Sequence, residues 1–387
     1  MGTTMDHDEF LRRCESLVPA LAIQAEEAEE LRRVPEATID AVRALDLFRV
    51  VVPTSLGGHG LGLRTLAQGT RILARGCPAT AWTLSFLMLH AWLLAKFPPE
   101  GREELFAHDP APFAPAPLAP TGKATAVDGG FVVDGRWEWA TGVAHAQWVM
   151  VHAVQVEPEL TTWFVVLPTD AVEVDDVWFT AGMRATGSNV IRVRDRFVPT
   201  SHAIPARSLL DGTGTVDGDG LAGIPLAAVL ALTAAAPALG AAEAAVDLYR
   251  ERLVERVLAY SMGDKAAEQP AAQIRLATAT SDLAAGRARW EAAIRDVEAA
   301  STAGTIDLEL RVGTRLAAAA TVRSARQVIS TVCDGAGASV YFSDHPLQRL
   351  QRDVETLKGH VVFDWDRTAE LAGRFALGFP LRPVDMV

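Results

Sequence analysis

The sequence predicts an α+β protein in which a β segment separates two helical ones. Three observations predict it. Apolar residues recur at three- and four-residue spacing before residue 110 and again after residue 220. Five short β-type runs lie between those stretches. A proline-rich run, APFAPAPLAPTG, marks the first change of character. The expected division is an N-terminal helical domain over 1–110, a central β domain over 111–220 and a C-terminal four-helix-bundle domain over 221–387.

In the first segment, LRRCESLVPALAIQAEEAEE and PEATIDAVRALDLF carry the helical period. PTSLGGHGLGL interrupts it with glycines. RTLAQGTRILARG and ATAWTLSFLMLHAWLLAKF resume it, and the second is apolar on most sides. The β-type runs are ATAV, FVVDGRWEWA, WVMVHAV, TTWFVVLP and IRVRDRFVP, with Asp128-Gly129 as a hairpin turn. No ten-residue helical pattern separates these runs, so antiparallel pairing in a sandwich or barrel is expected. Residues 221–242 carry no charge and are long enough to cross a membrane. Alanine dominates that run, and Pro225 and Pro237 interrupt it, which favours a buried bundle helix. LRVGTRLAAAATVRSARQVISTVC and PLQRLQRDVETLKGHVVFDW are further periodic helices.

Composition narrows the function. The chain has 387 residues, 49% of them hydrophobic and 22% charged, a globular balance. Its net charge of −12, with no Lys/Arg-rich run, argues against nucleic acid or an anionic membrane as partner. Cys14, Cys77 and Cys333 lie far apart, which suggests neither a disulfide framework nor a zinc site. The start, MGTTMDHDEF, lacks a basic and then apolar leader, so a soluble cytoplasmic protein is expected. GxSxG, P-loop and HExxH patterns are absent. GGHGLG at 57–62 fails the dinucleotide spacing and sits between helices.

Two local patterns carry chemistry. In GRWEWATG (135–142), two-residue alternation puts Trp137, Trp139 and Thr141 on one strand face. An indole and a hydroxyl together suit a flat aromatic cofactor, although two tryptophans filling a sheet core is the commoner arrangement. In HPLQRLQRDVETLKGH (345–360), Arg349 and Asp353 stand four apart and can pair. Asp353 and His360 share a helix face, which a solvated charged helix would also give. His90 lies in a very apolar helix, where a satisfied core histidine is the ordinary case. His145 and His152 point to opposite sides of a strand and do not share a metal.

At these residues the chain resembles the acyl-CoA dehydrogenase superfamily. GMRATGSNVIRVRDRFVP (182–199) is similar to its GMRGTGS segment, and DGAGASVYFSDHPLQRLQRD (334–353) to its glycine pair and ERxxRD-like helix. PTSLGGHGLGL resembles its PxxYGGxG loop. Within the superfamily the chain is most similar to the oxygenase components of two-component flavin-dependent monooxygenases, such as 4-hydroxyphenylacetate hydroxylase and dibenzothiophene monooxygenase. GRWEWATGVAHAQWV, GCPATAWTLSFLMLHAWLLAKFP and QRDVETLKGHVVFD carry that likeness. Many dehydrogenases place a catalytic glutamate where this chain has Val361, with His360 before it. The oxygenases usually have serine where Thr141 stands.

The resemblance implies a monooxygenase that takes reduced flavin (FADH2 or FMNH2) from a separate NAD(P)H-flavin reductase and O2 as co-substrate. Through a C4a-hydroperoxyflavin it would hydroxylate a small aromatic or polyketide-like molecule. It implies His360, Thr141 and His90 as catalytic residues. Trp139, Thr141, Gly142, Arg184, Thr186, Ser188, Gly335 and Gly337 would bind the cofactor. Trp82 and Phe86 would line the substrate pocket with His90. No metal is implied. The apolar C-terminal helices suggest a homotetramer or homodimer. The alternatives are an acyl-CoA dehydrogenase or oxidase with a relocated base, and a non-catalytic binding subunit.

Overall fold

The computed structural model describes residues 5–382 except Thr215, Ala259 and Tyr260, together with Asp385 and Val387. The MGTT start lies outside the described residues. The first segment holds α1 (His7–Ile23), α2 (Ala25–Leu31), α3 (Glu36–Ala44), α4 (Leu63–Ala74), α5 (Pro78–Leu94) and α6 (Pro99–Leu105). Asp6 starts α1 by accepting the Glu9 N–H at 2.8 Å. The run 11–30, expected as one periodic stretch, is two helices that meet at Gln24. Pro78 begins α5, where a missing N–H costs nothing. Every residue of α5 is buried, as its unbroken apolar composition demands.

The β segment holds β1 (Gly122–Val127), β2 (Gly130–Ala140), β3 (Trp148–Gln155), β4 (Thr161–Pro168), β5 (Glu173–Asp175), β6 (Asn189–Pro199) and β7 (Ala203–Pro205). Hydrogen bonds join them in one sheet, in the order β5-β6-β2-β1-β3-β4-β7. The Asp128-Gly129 turn closes the β1–β2 hairpin, with Gly129 at φ 77°. All-antiparallel pairing fails at one place, because β1 and β3 are parallel. β2 lies between β1 and β6, so β3 can join only the free edge of β1. The two short strands β5 and β7 show no alternating pattern of their own in the sequence.

The last segment holds α7 (Ala206–Leu210), α8 (Leu226–Glu255), α9 (Pro270–Ala303), α10 (Leu308–Ala336), α11 (Pro346–Leu357) and α12 (Trp365–Ala376). α8, α9, α10 and α11 pack in a ring of four, with α12 against α10. α8 is long and apolar enough to cross a membrane, yet 89% of its most apolar window is buried inside the chain. α8 also packs on α4, so the helices of both ends share one hydrophobic core, while the sheet keeps a smaller one of its own. Burial within one chain accounts for the apolar composition of α8.

The α4–α8 crossing depends on one glycine. A Cβ on Gly240 would lie 2.2 Å from the Arg71 carbonyl oxygen and 2.8 Å from the Ala74 Cβ. Gly240→Ala is therefore expected to destabilise by about 1–3 kcal/mol through overpacking, despite alanine's better helix propensity. Thermal unfolding of the variant checks this, and an unchanged or higher midpoint refutes the crossing.

Candidate active site

The end of β2 sets the first half of the site. The pairing of β2 with β6 slips between Trp137 and Ala140, and Trp139 takes a left-handed φ of 66°. The bulge breaks the alternation expected from the sequence. Trp137 is fully buried under Gly122 and Gly135, with its indole N–H on the His152 carbonyl at 2.8 Å. Trp139 is instead 61% exposed. Thr141 lies just past the strand, its N–H on the Trp139 carbonyl at 2.9 Å. The three residues thus do not share a face, and Trp137 is a core residue.

Beside Trp139 stand three hydroxyls. Thr141 Oγ1 lies 2.9 Å from Ser188 Oγ, and Ser188 Oγ lies 2.7 Å from Thr186 Oγ1. The Gly142 N–H donates to the Thr186 carbonyl at 3.0 Å, tying the end of β2 to the 3-10 turn Arg184–Thr186. Gly142, at φ 74°, also abuts α5, where a Cβ would come within 3.1 Å of Thr83 and 3.3 Å of Leu87.

The second half is a row of rings along α5. Trp82, Phe86 and His90 recur every four residues and so share a face. Ring centroids are 4.8 Å apart for Trp82–Phe86 and 5.4 Å for Phe86–His90. His360 continues the row, 5.4 Å from Trp82 and 5.8 Å from Phe363. The structure therefore brings together all four of these predicted residues. His360 is not on α11, however. That helix stops at Leu357, and His360 caps a following 3-10 turn by accepting the Val362 N–H at Nδ1, 3.4 Å.

Both histidines are neutral at ordinary pH. Burial pushes His90 down to about 4, against the opposing hydrogen bond to the Ala114 carbonyl. His360 presents surface to solvent, but protein packed around it, with Arg315 nearby, pushes it down to about 4 as well. Their partners fix the tautomers. A carbonyl only accepts, so His90 carries its proton on Nδ1, 2.7 Å from the Ala114 oxygen, and Nε2 is an acceptor. A backbone N–H only donates, so the His360 proton resides on Nε2.

The remaining predicted residues have structural partners. Arg184 donates to the carbonyls of Glu29 and Thr180, both at 3.2 Å. The expected Arg349–Asp353 pair is replaced. Arg349 donates to Glu29 of α2 at 3.3 Å, and Asp353 accepts the Met183 N–H at 2.6 Å. At Gly335 a Cβ would meet Tyr249 and Arg275, and Gly337, at φ 83°, lies against Arg256. Sequence reasoning missed Thr83 and Leu87, although each follows a predicted pocket residue on the same helix. It also missed Ala114, whose carbonyl sits in a proline-rich run with no periodic signal, and Arg315, which donates to the Val361 carbonyl at 3.3 Å.

His90 links stability to pH. Its folded pKa lies below the ordinary 6.5, so the unfolded chain takes up the proton first. The stabilisation is complete above about 6.5 and is lost as pH falls towards 4. The melting temperature is expected to fall more steeply across that window in the wild type than in His90→Gln. Parallel curves would show that His90 is not buried neutral.

Comparison with known proteins identifies the family. The profile of the acyl-CoA dehydrogenase N-terminal domain matches residues 4–105, and that of the acyl-CoA dehydrogenase C-terminal domain matches residues 232–365. The chain is 30% identical over 377 residues to the flavin-dependent monooxygenase oxygenase subunit HsaA of Rhodococcus jostii, covering 96% of this chain and 99% of that one. It is 28% identical to the oxygenase component of p-hydroxyphenylacetate 3-hydroxylase from Acinetobacter baumannii, over 97% of this chain and 90% of that one. The crystal structure of XiaF from Streptomyces sp., in complex with FADH2 and glycerol, superposes with a TM-score of 0.90 at 26% identity, covering 98% and 97% of the two chains. The chain belongs to the acyl-CoA dehydrogenase family, among the oxygenase components of flavin-dependent monooxygenases.

Proposed function

We propose that this site takes reduced flavin from a separate reductase and, with O2, hydroxylates a small aromatic substrate that carries a hydroxyl. One observation carries the reading. A cluster of three hydroxyls beside an exposed indole stands on one side of α5, and a row of apolar rings with two neutral histidines runs along it. The residues fit a flavin: Trp139 offers a flat apolar face, and Thr141, Thr186 and Ser188 offer donors and acceptors for a polar ring edge. When bound, reduced flavin supplies the electrons that activate O2 and passes one oxygen atom on. Gly142 lets the turn approach α5. We assign Gly335 and Gly337, with Arg252 and Arg256 beside them, to the phosphate end of the cofactor at a boundary with a second copy of the chain. Arg184 serves indirectly, by holding the turn that bears Thr186 against α2.

The chain's own groups divide the work. Trp82 and Phe86 stack the substrate and keep water from it. His90, with Nε2 as acceptor, takes the hydrogen bond of the substrate hydroxyl. His360, with Nε2–H as donor, stabilises charge that develops on oxygen during transfer. A phenol matches these residues, since its ring can stack on Trp82 and Phe86 and its hydroxyl can donate to His90 Nε2. The named relative that acts on p-hydroxyphenylacetate supports that class.

The direct experiment supplies reduced flavin, O2 and a panel of substituted phenols, and measures hydroxylated product. No product from any phenol, together with flavin bleaching by an acyl-CoA, overturns the proposal. His360→Ala is expected to lower the hydroxylation rate about 10²-fold or more, while reduced-flavin affinity changes little. Hydrogen peroxide release should rise as product falls. Unchanged coupling would remove His360 from the chemistry.

A further inference from the structure

We propose that Asp353 is a positioning residue that sets the spacing between the hydroxyl cluster and His360. The inference rests on the site proposed above. Asp353 is 2% exposed and belongs to α11, the helix that leads to His360. Its Oδ1 accepts the Met183 N–H at 2.6 Å. Met183 has φ 54°, a left-handed conformation that a residue with a side chain does not adopt without support. The Met183 carbonyl in turn accepts from the Trp178 indole at 3.0 Å and from the Thr186 N–H at 3.2 Å. From Thr186 the contacts run through Ser188 to Thr141. An unbroken path of hydrogen bonds and one turn of backbone thus joins the Asp353 carboxyl to Thr141.

Two further contacts tie the same point to α11 and α5. Gly182 packs on the α11 backbone so closely that a Cβ would lie 2.1 Å from the Arg352 carbonyl oxygen. Asp353 also lines a water-sized cavity of about 10 Å³ with Cys77 and Ala79, which sit at the start of α5 one turn before Trp82. One carboxyl on the helix that leads to His360 therefore meets both the turn that bears Thr186 and the start of α5. The neighbouring guanidiniums do not claim it. Arg349 and Arg352 bind Glu29 instead, at 3.3 and 3.0 Å, which leaves Asp353 to the backbone N–H. Oδ2 is buried with no hydrogen-bond partner, and burial pushes the carboxyl up to about 7, so an amide of the same shape changes little.

The test compares Asp353→Ala, Asp353→Asn and Asp353→Glu in the full chain, with histidine-labelled NMR as the first readout. The His360 signal is assigned by its loss in His360→Gln. Asparagine keeps the acceptor, so its His360 signal and its ratio of product to hydrogen peroxide should match wild type. Alanine should shift the signal and lower that ratio at least tenfold. Glutamate keeps the carboxyl but displaces the acceptor, and should behave as alanine does; it replaces alanine if that variant does not fold. Val332→Ala, a buried α10 change, shows what general destabilisation alone produces. An unmoved His360 signal in the alanine or glutamate variant overturns the proposal. So does an asparagine variant as impaired as alanine, or a Val332→Ala protein with the same signal shift. The NMR readout needs no turnover, so a wild type that hydroxylates nothing defeats the proposed function and leaves Asp353 still tested.

Discussion

The burial of α5 is the constraint on which the rest of the structure depends. This helix has no polar face, so it must be covered on all sides. α4, α8 and α11 cover it, as does the turn that carries Thr186. A helix enclosed in this way is a rigid reference, and side chains on its successive faces address different partners. Trp82, Phe86 and His90 face the ring row, while Thr83 and Leu87, one residue further round, receive Gly142. The hydroxyl cluster and His360 come from segments more than 170 residues apart, yet both are measured against one helix.

Much of this was legible in the sequence, and the misses have two physical causes. Hydrophobic period gave the helices and five strands because burial is selected at every turn of an element. Trp82, Phe86, His90 and His360 could be grouped because α5 keeps its period and the His360 segment carries a family pattern. The face of Trp139 was not legible. A bulge changes the face of every later residue, and here nothing in GRWEWATG marks the slip. The partner of Asp353 was hidden for another reason. Arg349 at four-residue spacing is the local candidate, but Glu29, over 300 residues away, holds that arginine. Local spacing describes which pairs can meet and not which competitor arrives from elsewhere in the fold.

The electrostatics of the site follow from the same enclosure. A charged imidazole inside an apolar row would need a partner, and none of the rings around His90 supplies one. Burial therefore keeps His90 neutral, and the Ala114 carbonyl selects its tautomer. At His360 the packing around the ring and the Arg315 cation act in the same direction, while Arg315 also grips the next carbonyl. The two histidines end with opposite hydrogen-bonding polarity although both are neutral. The row thus presents an acceptor at its His90 end and a donor at its His360 end.

The threonine at 141 fits this picture of fixed directions. The resemblance to the oxygenases predicts serine there, whose hydroxyl turns freely about χ1. A β-branched side chain has fewer open rotamers, so the methyl of Thr141 restricts where Oγ1 can point. The Ser188 hydroxyl at 2.9 Å then selects among the directions that remain, and Thr186 at 2.7 Å from Ser188 fixes that hydroxyl in turn. Three hydroxyls in series hold one another's protons in a consistent order, because each can donate once. Threonine thus keeps the hydrogen-bonding capacity of serine and adds constraint. The same network ends at the Met183 carbonyl and Asp353, which ties the direction of one hydroxyl to the placement of the helix that leads to His360.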